Sequence, residues 1–447
     1  MDKRTQELLT DPILPLLLRK STPNTVSFLI QSIVTLAEVW FIAKLGTNPL
    51  AAVALAFPLL MLTQTMSGGA LGGAINSAIA RSLGSGDVAR AQRLLWHAII
   101  ISASGAVLFL IIFFLTGRPF LAWLGGEGAV LEDSLSYARV VFIGGIAFWL
   151  AGSLQSVFRG MGNMRFPAAL TIASSCIQVI LSGGLILGWF GLPKMGLVGA
   201  ALSPVLAASF MSLVMLTKLA GSTVSVQLRF DRFKLEKWLF QDILAVFLPA
   251  SVSPVTTVAT VLVLTGLVAQ FGTTALAGYG IGSRVEFLMI PLVFGIGTSM
   301  TALVGANKGA KNIVRAEKIG WTGGMSALCL SGIVGILLAL FPDVWIKYLT
   351  DDQAIFGEAR QYIQIVGFFY GFQGLGLSLY FASQGASAMK WPVVATMTRF
   401  LIVCVGGLFV TYSTFDTIQA VYIFAALAMA SFGTINAVAL KMGAWRH

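Results

Sequence analysis

Twelve apolar stretches, each about twenty residues or longer, follow one another along this chain with mostly short polar breaks between them. They fall near residues 23–43, 50–79, 95–116, 135–157, 167–188, 196–218, 247–270, 276–304, 319–341, 361–383, 392–412 and 417–440. A helix of that length crosses about 30 Å of hydrocarbon. Lipid offers no hydrogen bonds, so each backbone amide must be satisfied inside its own segment, and helices are the expected spanning element. The ten-residue alternation of a barrel strand is absent. Only 11% of the residues are charged, about half the share of a soluble domain. The expected fold is all-α: a polytopic membrane protein with twelve transmembrane helices.

The stretches form two sets of six. Pro23 recurs as Pro249, and Leu45-Gly46-Thr47 as Phe271-Gly272-Thr273, both offset by 226 residues. Gly84, Arg90-Ala91, Tyr137, Gly160 and Pro167 recur as Gly309, Arg315-Ala316, Tyr362, Gly385 and Pro392, all offset by 225. Six is an even number, so both repeats start on the same side of the membrane and are related by an axis along its normal. Duplicated hydrophobic halves are a transporter signature, because two similar bodies rocking against each other give alternating access. The one long polar break, 219–246, carries Arg229, Asp231, Arg232, Lys234, Glu236 and Lys237 among Phe and Trp. It reads as a cytoplasmic connector, partly an amphipathic surface helix, joining an N-terminal bundle over 1–218 to a C-terminal bundle over 247–447.

With the N-terminus inside, 21 Lys and Arg fall on that side of the membrane and 6 on the other. By the positive-inside rule both termini are expected in the cytoplasm. The same distribution accounts for a net charge of +11 without any nucleic acid. No cleavable signal peptide is expected ahead of Arg19-Lys20. Cys176, Cys329 and Cys404 each stand alone in an apolar run, which excludes a disulfide framework and reads as small buried hydrophobes. His97 and His447 are far apart, so no metal centre is expected. The loops Gly84-Ser85-Gly86-Asp87 and Gly309-Ala310-Lys311-Asn312 lack the Gly-Lys-Ser/Thr ending of a nucleotide loop. They read as helix-capping turns, and ATP coupling has no support. No clustered nucleophile, histidine dyad or metal set argues for an enzyme, and no cofactor is implied.

Charges inside the spans are few and costly, which makes each a functional candidate. Glu38 lies six residues before Lys44, roughly 9 Å below the outer end of its helix at 1.5 Å per residue. Gln31, Thr35 and Glu38 share one helix face by their i, i+4, i+7 spacing. Low dielectric disfavours an ionised carboxyl, so Glu38 is a candidate for binding and releasing a proton. Ser174, Gln178 and Ser182 make a second stripe at i, i+4, i+8, running into Gly183-Gly184. It reads either as a wall of the same pocket or as small-residue helix packing. Arg284 and Glu286, two apart, do not share a face, so partners from other helices or a cavity are expected to hold them. Arg399 is expected to snorkel toward the cytoplasmic interface.

These features resemble the multidrug and toxic compound extrusion (MATE) family, in particular its DinF-like members, over essentially the whole chain. The resemblance rests on Ala37-Glu38-Val39-Trp40-Phe41-Ile42-Ala43-Lys44-Leu45-Gly46, Arg159-Gly160-Met161-Gly162-Asn163 with Pro167, and Gly196-Leu197-Val198-Gly199-Ala200-Ala201. Tyr279-Gly280-Ile281 with Arg284-Val285-Glu286, and Leu303-Val304-Gly305-Ala306-Asn307 with Gly309, extend it into the second half. It implies two six-helix bundles forming a V around a central cavity. Glu38 occupies the place of the family's cation-coupling first-helix aspartate. The fifth-helix pattern Asn-x-x-x-Asp is here Gln178 to Ser182, so a second carboxylate is missing. The seventh-helix glutamate of other members falls near Thr256–Thr257, and the tenth-helix aspartate has no counterpart. A lone carboxyl suits a proton better than a caged hard cation.

The chain is thus expected to be an antiporter of the inner (plasma) membrane. It would export amphipathic, often cationic organic compounds in exchange for protons, with sodium as the alternative ion. Glu38 is the expected coupling residue, and Gln31, Thr35, Gln178, Ser182, Arg284 and Glu286 are candidate cavity residues. The runner-up is a lipid or polymer-precursor flippase of the same superfamily, which needs a strongly cationic groove that the few intramembrane basic residues do not supply.

Overall fold

A computed structural model describes residues 2–412 and 417–446, apart from the side chains of residues 232, 287 and 288; His447 lies outside the described residues. The first half opens with α1 (Lys3–Thr10) and α2 (Ile13–Ala43). A π-helical segment, Thr65–Leu71, joins α3 (Thr47–Gln64) to α4 (Gly72–Gly84) as one span. After α5 (Val88–Trp123) come α6 (Gly128–Ile143) and α7 (Gly145–Gly160), bent by 48°, then α8 (Arg165–Leu187) and α9 (Leu197–Ala220). The second half runs α10 (Lys237–Ala250) with α11 (Val252–Ala269), α12 (Thr273–Gly309), α13 (Ile313–Leu340) and the short α14 (Asp343–Ile346). It ends with α15 (Gln353–Val366) and α16 (Tyr370–Gly385) as one span, then α17 (Lys390–Tyr412) and α18 (Ile418–Lys441). Eleven of these units are long and apolar enough to cross a membrane, and the bent α6–α7 pair makes twelve among the described residues.

The duplication extends to backbone detail. Asp87 caps α5 by accepting from Arg90 N at 2.8 Å, and Asn312, 225 residues on, caps α13 by accepting from Arg315 N at 3.2 Å. Each side chain satisfies an amide that the first helical turn leaves unpaired. Gly86 and Gly162 have φ of 82° and 72°, and their counterparts Lys311 and Ser387 hold 60° and 56°. The turns keep their left-handed geometry in the second half although the glycine is gone.

The halves meet about an axis that these equivalences locate. A Cβ on Gly84 would lie 2.0 Å from the carbonyl oxygen of Ala306, and a Cβ on Gly309 would lie 2.1 Å from that of Arg81. Arg81 and Ala306 are themselves equivalent, so the two contacts are one contact made twice. On the axis between them, a Cβ on Gly305 would lie 3.0 Å from the Cβ of its own counterpart, Ala80. This is the isologous geometry of a two-fold dimer, achieved inside one chain. Hydrogen bonds between the halves cluster around it: Asn24 Nδ2 to Thr298 Oγ1 (3.2 Å) and Ser299 Oγ (3.3 Å), Asn76 Nδ2 to Thr298 O (2.9 Å), and Ser77 Oγ to Gln384 O (2.5 Å). Asn307 Nδ2 donates to Leu8 O at 3.0 Å, Arg315 donates to Asp11 O, and Lys308 donates to Trp445 O. Both described ends of the chain therefore sit on this closed side. Among the described residues, no hydrogen bond ties residues 29–64 to residues 252–290 across the halves.

Of the connector expected over 219–246, partly as an amphipathic surface helix, only the part from Lys237 onward is α-helical once α9 has ended at Ala220. Residues 221–236 form turns that fold back, with Val224 and Val226 buried and Leu228 N donating to Leu219 O at 2.7 Å. The helix begins only at Lys237 and continues into the seventh span. Leu239, Ile243, Val246 and Ala250 give α10 one buried face. Asp242 fixes it to the first half through Arg81 and Arg90, both at 2.7 Å. His97 Nε2 accepts from Glu236 N at 3.0 Å, and Arg93 pairs with Glu236 at 3.0 Å. Cys176 and Cys329 are exposed, not buried as their apolar runs suggested. In a bilayer the outer face of a bundle is apolar too, so hydrophobic context does not imply an interior position.

The glycine contacts allow a direct test. Gly84→Ala and Gly309→Ala each force a methyl group into backbone, an overpacking cost of about 1–3 kcal/mol. Each should lower the unfolding midpoint in detergent by about 2 °C or more. Gly280→Ala, in α12 where an added Cβ would meet nothing within 4 Å, should leave the midpoint unchanged or raise it.

Candidate functional site

Glu38 sits near the C-terminal end of α2, on the face that packs against α8. Its Oε1 accepts from Gln178 Nε2 at 2.7 Å and from Ser182 Oγ at 3.1 Å, so two successive turns of α8 grip one carboxylate oxygen. Phe41, Tyr137, Val141 and Ile186 belong to the apolar cluster around it, with Val179 packed against them. Tyr137 is also within electrostatic range of the carboxylate. Gly183 matters here because a Cβ would lie 2.6 Å from the Trp189 ring. Its absence lets Trp189 fold back edge-on against Phe41, with ring centroids 5.4 Å apart. Lys44, the nearest cation in sequence, lies over the Trp40 ring at 4.9 Å and forms no ion pair with Glu38. Glu38 is half-buried and has no cationic partner among the described residues. An uncompensated charge in such surroundings is costly, and uptake of a proton or a cation relieves it.

The other sequence candidates divide. Gln178 and Ser182 meet Glu38, whereas Ser174 turns to α9 and donates to Ala207 O at 3.0 Å. Gln31 and Thr35 are exposed, and the Thr35 hydroxyl donates to Gln31 O of its own helix at 3.1 Å. Arg284 is exposed and forms no ion pair among the described residues. Glu286 turns inward and accepts from the Tyr362 hydroxyl. Tyr279, Tyr370 and Tyr422 belong to the same apolar cluster as Tyr362. The hydroxyls of Tyr370 and Tyr422 are buried without a partner among the described residues.

Arg399 does not reach for the interface. It is 7% exposed, donates to Thr257 Oγ1 at 2.6 Å, and lies over the Phe432 ring at 5.0 Å. It is also within electrostatic range of Glu286. Arg399 stands nine residues into α17, about 14 Å from the helix end at 1.5 Å per residue, and α11 supplies an acceptor at that depth. Snorkelling loses to a nearer partner. Tyr137 and Tyr362 were visible in the sequence as a repeated pair, and the structure sets each beside its own half's carboxylate. That repetition was the signal for their position; Thr257 and Arg399 were each visible as polar positions in a span, but nothing in the sequence paired them.

Twelve spans in two parallel repeats, with a carboxylate gripped between helices of one half, define a polytopic membrane transporter. The MatE family model matches residues 23–182 and, a second time, residues 249–409. Over 384 residues the chain is 25% identical to the probable multidrug resistance protein NorM of Thermotoga maritima, an alignment covering 85% of this chain and 82% of that protein. It is 24% identical over 392 residues to the FAD transporter of Shewanella oneidensis, covering 84% and 82%. A solved MOP superfamily transporter from Pyrococcus furiosus, whose reversed pocket polarity is said to suggest a different function, superposes with a TM-score of 0.92. That match has 23% identity and covers 99% of this chain and 98% of the other. A multidrug resistance MATE family transporter in an outward-facing conformation gives 0.89 at 24% identity, with the same coverage. Likeness at such identities speaks for the fold alone. The chain belongs to the MatE (MATE) family, whose members are transporters and not enzymes.

The Glu286–Tyr362 contact is measurable. Tyr362→Phe keeps the ring but leaves the carboxyl without its donor, which should cost about 1–3 kcal/mol. In a cycle with Glu286→Gln, the two effects on thermal stability should be non-additive by at least about 0.5 kcal/mol. Additive effects would mean that the two groups do not interact.

Proposed function

We propose that this protein is a proton-coupled exporter of amphipathic organic cations across the plasma membrane, with Glu38 as the coupling group. The observation that carries the reading is the grip of Gln178 and Ser182 on a carboxylate without a counter-cation. Such a site can exchange one positive charge for another. Protonation removes the charge that would attract a cationic substrate, so proton entry from outside and substrate release compete for the same group. One proton biases two states only through its different affinity for each. The moving bodies on this reading are residues 1–218 and 247–447, with both termini cytoplasmic as the excess of Lys and Arg on that side implies. The arrangement then stands closed toward the cytoplasm. Proton is favoured over sodium because Glu38 is the only carboxylate among these contacts, and hard cations gather several oxygen ligands.

The test is transport in proteoliposomes under separately imposed pH and sodium gradients, with cationic dyes as substrates and FAD as the contrasting anion. A pH gradient should drive dye export by the natural protein, and a sodium gradient alone should not. Glu38→Gln, which mimics the protonated form, should reduce pH-driven export at least tenfold while the protein remains folded and inserted. Glu38→Asp should retain partial activity. Normal pH-driven export by the Gln variant would remove Glu38 from the mechanism, and export of FAD in preference to dyes would overturn the substrate class.

A further inference from the structure

The side carrying the termini holds a cavity of about 650 Å³ in the first half, away from the Glu38 pocket. Its volume lies within the range of small-ligand sites. Five cations and one acid line it: Arg4 of α1, Arg19 and Lys20 of α2, Arg165 at the start of α8, Lys218 near the end of α9, and Glu7. Arg19 and Lys20 are already engaged, Arg19 with Glu7 (3.3 Å) and Asp11 (2.7 Å), and Lys20 with Glu7 (3.1 Å) and Gly162 O (3.0 Å). Arg4, Arg165 and Lys218 form no ion pair among the described residues. Three like charges drawn from three separate helices repel one another, and an anion between them relieves the repulsion.

The apolar surroundings select the kind of anion. Phe166 and Ala169 also line the cavity. From there Arg165, Ala169, Ala173, Cys176 and Ile180 continue as one exposed face up α8, at helical spacing. Most of these side chains are small, while the adjacent α9 exposes the larger Leu206, Phe210 and Leu213. The cationic mouth therefore adjoins an exposed apolar face of α8 that runs along the span. We propose that the cavity binds the phosphate-bearing headgroup of an anionic phospholipid from the leaflet facing the termini, with an acyl chain laid along α8. Basic pockets at this depth between transmembrane helices suit such headgroups. Because α1, α2, α8 and α9 all border the site, the lipid ties the strap-like α1 to the first half.

The experiment is native mass spectrometry of the full-length protein, titrated separately with phosphatidylglycerol, phosphatidylcholine and glycerol 3-phosphate. One phosphatidylglycerol should bind at least about tenfold more tightly than phosphatidylcholine. Each neutralised cation should weaken binding about fivefold. The triple variant Arg4→Gln, Arg165→Gln, Lys218→Gln should therefore lose about a hundredfold, and each single variant serves if the triple is unstable. A control triple on exposed second-half positions of the same side, Lys318→Gln, Lys390→Gln, Lys441→Gln, should lose less than about threefold. Equal binding of the two lipids, equal losses in the two triples, or unchanged binding in the single variants would overturn the proposal. Glycerol 3-phosphate binding as tightly as phosphatidylglycerol would overturn it in favour of a soluble phosphate ester.

Discussion

The arrangement depends on two backbones touching without side chains between them. Where α4 and α12 cross on the closed side, Gly84 and Gly309 let each helix press against the carbonyl of the other. Without a strong hydrophobic drive between helices in lipid, such close approach is how they gain van der Waals contact. Because the contact is made twice about an axis, a single residue type at two equivalent positions sets the distance between the halves. The hydrogen bonds of Asn24, Asn76 and Ser77 then fall into reach, each a polar group with no alternative partner in hydrocarbon.

Much of this was legible in the chain. Length, apolarity and the 225-residue register specify twelve spans and parallel halves, because the bilayer admits few other solutions. The repeat also marked Gly84, Gly160, Gly309 and Gly385 before any contact was known. Gly160 and Gly385 pack onto equivalent backbone in the two halves, the carbonyls of Asn76 and Thr301. Periodicity placed Glu38, Gln178 and Ser182 on helix faces, and the need of both stripes for a lipid-free setting pointed to one shared pocket, where these three side chains meet while Gln31 and Thr35 stay exposed. What was not legible has a common cause. Hydropathy does not distinguish lipid-facing from buried apolar residues, as Cys176 and Cys329 show. Nor does it say whether a polar side chain will find a partner at its own depth, which is what separates Arg399 from a snorkelling arginine. The fold of residues 221–236 depended on buried contacts with the first half that no local pattern announces.

The two halves share a scaffold but not a chemistry. Tyr137 and Tyr362 are equivalent, and each stands beside a carboxylate, yet those carboxylates come from non-equivalent helices: Glu38 from α2 and Glu286 from α12. In the first half the acid meets an amide and a hydroxyl. In the second it meets a phenol, with an arginine in electrostatic range. Duplication placed one equivalent tyrosine beside each carboxylate, and the rest of each surrounding differs: Tyr137 is the sole tyrosine of the first half, whereas Tyr362 stands among Tyr279, Tyr370 and Tyr422.

The position of α10 shows how the two halves are joined. By sequence it runs from the 219–246 connector into the second half, yet its buried face and the Arg81–Asp242–Arg90 bridge join it to the first. The helix breaks between Ala250 and Val252, just after Pro249, the counterpart of Pro23 in the unbroken α2. At the other end of α10, the Ala250 carbonyl accepts from the Tyr380 hydroxyl of the second half at 2.8 Å. The long polar stretch from 221 to 236 is then not a slack tether. The halves are joined a second time within a membrane span, by one helix held to both of them.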